Sequence, residues 1–337
     1  MILAIGLLPV LCFLAALIYL DSYKLVRPRW VATAILVGCA LAAVCWTINV
    51  RLKEALGLDV LVYSRYVAPV IEETAKGLAI LALVRSNRIG FLVDAAIYGF
   101  AIGAGFALVE SVAYWTVLSS GWSLWIVRGF GTAVMHGGAT AIFAIVGKGL
   151  EERGDKASVL GWPAALMLAI VIHSFFNHFF VSPVLSTALI LLLLPPLAYL
   201  IFQRSERGLE AWLNVGFDAD TELLELILEG KVSGSPVGSY LRSLQERFPG
   251  QVVVDLLCYL RVHLELSLRA KGLLMMREAG FAVSLAAADR AKLDELDFLE
   301  KSIGATGKLA MAPFLRKSSR DLWQIYMMRG EVARPGR

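Results

Sequence analysis

Residues 67–84 run Val67-Ala68-Pro69-Val70-Ile71-Glu72-Glu73-Thr74-Ala75-Lys76-Gly77-Leu78-Ala79-Ile80-Leu81-Ala82-Leu83-Val84. Two glutamates and a lysine interrupt a run that otherwise has the length and apolarity of a membrane-crossing helix, which needs about 20 such residues. A charge at the centre of such a helix costs about 2.5–3.5 kcal/mol on insertion scales. The three side chains are therefore expected to face an enclosed polar site instead of lipid. In Glu72-Glu73-x-x-Lys76 the lysine lies one turn beyond the pair, within reach of a carboxylate on the same face. Neighbouring helix residues point about 100° apart, so one glutamate aims at the site and the other partners Lys76 or a backbone donor. Pro69 is expected to kink the segment.

Working outward, seven apolar segments qualify as spans: roughly 2–20, 30–50, 59–84, 92–118, 124–147, 160–181 and 184–203. The first lacks a basic leader and reads as a retained span. The chain is 58% hydrophobic and 18% charged, with a mean hydropathy of +0.68. Its charge is unevenly spread. Residues 1–203 hold 23 of the 60 Asp, Glu, Lys and Arg, or 11%, whereas residues 204–337 hold 37, or 28%. The expected fold is all-α: a polytopic membrane helix bundle of about seven spans over residues 1–203, followed by a cytoplasmic, water-soluble helical domain over residues 204–337.

Alternate loops carry unequal charge. One set holds Lys24, Arg27, Arg29, Arg85, Arg88, Lys148, Arg153, Lys156, Arg204 and Arg207, and the other only Arg51 and Lys53. By the positive-inside rule the N-terminus faces outward and the tail lies in the cytoplasm. No basic run suggests a nucleic-acid partner. Cys12, Cys39, Cys45 and Cys258 form no CxxC pair and read as small buried hydrophobes. In the tail, Ser235-Pro236 resembles an N-cap with proline at the first helical position. Val253, Leu256, Leu257, Leu260, Leu264 and Leu268 form a helical stripe. Gly280 and Gly304 are expected stops, and Ser319 an N-cap of a last helix ending near Gly330. His263 reads as structural.

Within the spans lie Arg65, Glu72, Glu73, Lys76, Asp94, Glu110, Arg128, His136, His173 and His178, more than a purely lipid-spanning bundle requires. Glu73 is about 11 residues, near 17 Å, from the inner end of its span, close to the middle of a ~30 Å core. His136 and His173 fall at similar depth, and Glu110 somewhat further outward. Asp94 and Arg65 fall near span ends, where snorkelling explains them. Gly99, Gly103 and Ala107 allow close helix packing. Gly129, Gly131, Gly137 and Gly138 leave room beside His136. His173-x-x-x-Asn177 stacks an amide one turn from an imidazole, and His178 points elsewhere.

Pro69-x-x-Glu72-Glu73-x-x-Lys76, Asp94 with Tyr98-Gly99, Gly105-Phe106-x-x-x-Glu110, His136 and His173-x-x-x-Asn177 occur in this order on separate spans. Together they resemble the PrsW family of intramembrane proteases and, more distantly, the CAAX-protease and bacteriocin-processing superfamily. Members of the latter usually carry histidine at the position of Glu110. The resemblance covers residues of about 60 to 180 and implies hydrolysis of a peptide bond in or near a bacterial membrane. It implies a single-span membrane protein as substrate, an anti-sigma factor being the one associated with the family.

The chemistry asks for an activated water, a polarised carbonyl and a stabilised oxyanion. The resemblance makes Glu72 or Glu73 the base. Glu110, His136 and His173 would either hold a zinc ion or orient water and carbonyl without a metal. Asn177 would be an oxyanion donor. Two other classes compete: a proton- or ion-coupled transporter, whose relays also use intramembrane Glu and His, and a non-catalytic scaffold or sensor. No internal repeat of the kind transporters often show is present.

Overall fold

A computed structural model describes residues 2–21, 26–117, 125–152, 156–180, 182–281, 285–315, 323–325 and 327–329. Among them are only helices, turns and connecting segments, with no strand. The chain divides into two compact units, Met1–Glu206 and Arg207–Arg337.

The first unit begins with α1 (Ile2–Leu20) and α2 (Pro28–Leu56). Pro28 opens α2, where its missing N–H costs nothing. Gly57 closes it at φ 61°, a left-handed conformation open to glycine, and donates its N–H to Glu54 O. The chain re-enters at Asp59, whose carboxylate accepts the Leu61 N–H at 2.7 Å. It then passes through a π-helical turn, Tyr63–Val67, into α3 (Ala68–Arg85). Pro69 therefore sits at the start of α3, so the irregularity expected from it takes the form of the π turn. Then come α4 (Leu92–Val117), a second π turn (Val127–Thr132), α5 (Ala133–Glu151), α6 (Lys156–His178) and α7 (Pro183–Leu228).

Among the described residues, five helices are long and apolar enough to cross a membrane: Pro28–Leu56, Leu92–Trp115, Val127–Glu151, Leu160–His178 and Pro183–Leu228. The shorter apolar Leu7–Leu20 accompanies them. Composition leaves α3 out because its 18 residues include Glu72, Glu73, Lys76 and Arg85.

The innermost helix is α4, with Ala95, Ile97, Phe100, Ala101, Ile102, Ala104 and Ala107 all buried. Glycine allows this crowding. A Cβ on Gly105 would collide with the backbone of Ile35 in α2, and one on Gly103 with the carbonyl of His136 in α5. Asp94 corrects the expectation of snorkelling. It is buried, and its carboxylate accepts the N–H groups of Gly90 (2.8 Å) and Phe91 (3.1 Å), satisfying donors that the start of α4 leaves open. Arg65 lies in the first π turn, and its carbonyl accepts the Ser174 hydroxyl at 2.6 Å.

The second unit contains the end of α7, then α8 (Pro236–Leu244), α9 (Gly250–Glu278) and α10 (Ala287–Met311). Ser235 caps α8 by accepting the Gly238 N–H. Of the expected stripe, Val253, Leu256, Leu260 and Leu264 are buried, while Leu257 and Leu268 are half-buried. Gly280, at φ 83°, follows the end of α9. Gly304 is a kink inside α10, at φ 64°, not the stop expected. Lys271 donates to Asp220 at 2.5 Å and Ser267 to the same carboxylate at 2.6 Å, a buried polar knot within this unit. Ser319 and Gly330 lie outside the described residues, as do Lys24 and Arg153.

Candidate active site

Helices α3, α4, α5 and α6 each deliver ionisable side chains to one cluster. Glu73, from α3, is buried, and its Oε1 accepts from Lys76 Nζ at 2.6 Å and from His173 Nδ1 at 2.7 Å. Lys76 Nζ lies 3.1 Å from His136 Nδ1. An ammonium has only donors, so Nδ1 accepts, and the ring proton of His136 sits on Nε2. That nitrogen donates to Glu110 Oε2 at 2.8 Å. The same logic puts the proton of His173 on Nδ1, given to Glu73, and leaves Nε2 open toward Glu72 Oε2, 3.9 Å away. The imidazoles meet edge to face at 4.7 Å.

Glu72 and Glu73 are adjacent but do different things, as the 100° offset requires. Glu73 is enclosed by cations and imidazole, whereas the side chain of Glu72 keeps 12% exposure and borders a cavity of about 630 Å³. Glu110 borders the same cavity, with Trp46, Asn49, Lys53, Tyr63, Phe106 and Tyr114 among its walls. Asn49 Nδ2 donates to Glu72 Oε1 at 3.0 Å, and Tyr63 Oη donates to Asn49 Oδ1 at 3.0 Å. Arg128, from the second π turn, lies 3.7 Å from Glu110 Oε1 and stacks 4.0 Å over the Tyr114 ring.

The structure thus gathers Glu72, Glu73, Glu110, His136 and His173. Asn177 does not join them through its amide: Nδ2 donates to Ser64 O at 2.9 Å, a helix-to-turn tie in place of a free oxyanion donor. His178 bonds Ser174 O and Tyr66 Oη and is structural. His173 is five residues from the end of α6 and Glu110 seven from the end of α4, roughly 8 and 10 Å along the axes.

Three residues that touch the site carry no expected role in the sequence reading: Asn49, Tyr63 and Arg128. An amide inside the apolar segment 30–50 was the available signal, since polar side chains in spans serve as interhelical glue.

Glu72, His136 and His173 each offer one ligand atom, all within 4.8 Å of one another. Two imidazoles and a carboxylate suit a borderline metal such as zinc. This cluster has Glu72 where the expected set had Glu110, and Glu110 lies 2.8 Å from His136 Nε2. Glu73, holding His173 Nδ1, orients that imidazole in the way a carboxylate would behind a metal ligand.

Compared with protein families, residues 27–201, which are 175 of the 337, match the PrsW family of intramembrane metalloproteases. The chain belongs to that family. As a PrsW family member with several long apolar helices it is an integral membrane protein, and the family supports a metallo-type intramembrane protease. The match extends past the site at both ends, into α2 and the membrane part of α7. No curated protein and no solved structure matches the chain.

The approach of α4 to α5 is expected to be as necessary as the ionisable groups. Gly103→Ala places a methyl against the His136 carbonyl and Gly137 Cα, and overpacking of this kind costs about 1–3 kcal/mol. Thermal unfolding in detergent should shift downward, and cleavage should fall while membrane insertion persists. An unchanged melting profile with full cleavage would show that this contact does not position His136.

Proposed function

We propose that this PrsW family member is an endopeptidase acting on single-span membrane proteins, with Glu72, His136 and His173 holding a zinc ion and Glu110 serving as general base. One observation carries the reading: Glu72 and Glu110 line a single cavity, with His136 bonded to Glu110 and His173 3.9 Å from Glu72 behind them. When bound, zinc supplies Lewis acidity to a carbonyl and makes water easier to deprotonate.

The chain's own groups do the rest. Asn49, itself held by Tyr63, fixes one oxygen of Glu72. Glu73 fixes the ring of His173, and its charge is balanced by Lys76. His136 would hold zinc through Nε2, giving up the proton that Glu110 accepts in this structure, and Glu110 would then be the free carboxylate that receives a proton from water and passes it to the leaving amine. Arg128 stays beside Glu110 and keeps a positive charge near it. Compared with the roles expected from sequence, Glu72 and Glu110 exchange places, and Glu73 becomes a positioning residue.

We assign seven spans, adding α1 and the helix through α3 to the five long apolar ones, with the N-terminus outside and residues 204–337 as a cytoplasmic, water-soluble domain. The ten-to-two loop charge bias and the 28% charge of the tail support this. Under that topology the cavity, lined by Lys53 and Val60 on either side of the α2 end, opens outward. An anti-sigma factor is one substrate compatible with it.

Glu110→Gln provides the test. Cleavage should fall by roughly 10²–10⁴-fold, zinc content should stay at the wild-type level, and single-span proteins should accumulate uncut in the membrane fraction. Unchanged cleavage would remove Glu110 from the chemistry. Full activity of wild-type protein with substoichiometric metal would remove zinc.

A further inference from the structure

Along α2, Trp46, Asn49, Val50 and Lys53 all line the cavity. Their spacing places them on one stripe of the helix. Asn49 marks the reacting end of that stripe, because its amide donates to Glu72. Lys53 lies four residues further on, about 6 Å along the axis. It is half-buried, and among the described residues it has no ion pair. Lys76 and Arg128, deeper in the same site, face Glu73 and Glu110, while Glu54 next to Lys53 is exposed. The cavity thus has two carboxylates at one end and an uncompensated ammonium toward the other.

We propose that Lys53 is a specificity determinant that binds an acidic side chain of the substrate two or three residues from the hydrolysed bond. The inference rests on the protease reading above and names a substrate class for it: single-span proteins with Asp or Glu in the segment beside their span. The separation follows from geometry. An extended peptide advances about 3.3 Å per residue, so the 6 Å from Asn49 to Lys53 corresponds to about two residues, and the length of the lysine side chain allows a third. A half-buried ammonium is a donor without an acceptor of its own. An incoming carboxylate supplies both a hydrogen-bond partner and the opposite charge, whereas a lysine placed there meets repulsion. Trp46, Tyr63 and Tyr114 give the intervening residues apolar walls with polar tips.

The test uses purified full-length protein in proteoliposomes and a set of single-span reporters. Each reporter carries Asp, Asn or Lys at one of the positions within three residues of the cleaved bond. At one position, wild-type kcat/KM should rank Asp above Asn above Lys, with about a fivefold to tenfold spread, the size expected of a partly screened ion pair. Lys53→Arg should keep that order and Lys53→Glu should invert it. The wild-type scan stands without any variant. If the Asn reporters are cut but Asp and Lys reporters are cut equally at every position, or if Lys53→Glu keeps the wild-type order, the role of Lys53 is overturned and the protease reading survives. If wild-type protein cuts no reporter, Asn included, both fall together.

Discussion

Replacing Glu72 with alanine is expected to reduce cleavage of a single-span substrate by roughly 10²–10⁴-fold, and to lower the zinc content of the purified protein with it. Glu72 is bonded to Asn49 and faces His173 across 3.9 Å at the cavity wall, so its loss removes a ligand without emptying the core. Asn49 keeps its bond from Tyr63, and the melting temperature should move little. Glu73→Ala should behave differently. It releases His173 and strands a buried Lys76, so folding and activity should fail together. The two variants, measured side by side for zinc, unfolding and cleavage, separate a reacting carboxylate from a positioning one. A Glu72→Ala protein that cleaves normally would end the assignment.

Lys76→Met should produce the largest loss of stability at the site. Lys76 is fully buried, bonds Glu73 and His136, and sits 4.8 Å over the Phe106 ring. Removing one partner of a buried ion pair leaves the other charge uncompensated, at a cost of about 3–5 kcal/mol. A second change, Glu73→Gln, removes that charge but keeps an oxygen that accepts from His173 Nδ1. The Lys76→Met/Glu73→Gln double variant should therefore regain most of the lost unfolding stability. Equal stability of the single and double variants would show that the pair is not coupled.

Much of the centre was legible because charge in an apolar segment is costly and therefore informative. Glu72, Glu73, Lys76, Glu110, His136 and His173 stand out of their spans for that reason, and their order carries the family resemblance that the match over residues 27–201 shows. Roles were harder to read. Which carboxylate borders the cavity depends on helix rotation, and the π turns before α3 and α5 alter that rotation without any marked change in composition. Asn177 stacks near His173 in the sequence, yet its amide finds a nearer partner in the carbonyl of Ser64, exposed by the first π turn. Asp94 looked like a surface-seeking charge because its donors, the N–H groups of Gly90 and Phe91, are backbone atoms that side-chain patterns do not reveal.

Those two π turns also mark where the chain can absorb a change in length. Each holds its segment in an i→i+5 arrangement, one residue longer per turn than the α-helix that follows. Deleting a single residue from Tyr63–Val67 would let an ordinary helix form there and leave the downstream faces almost where they are, because the turn loses only its extra residue. Deleting one from the first turn of α3 would instead swivel everything beyond it by about 100°, and Glu73 would face where Glu72 now does. Natural single-residue losses should therefore collect in the connections and in Tyr63–Val67 and Val127–Thr132, and avoid the regular turns of α3 and α5.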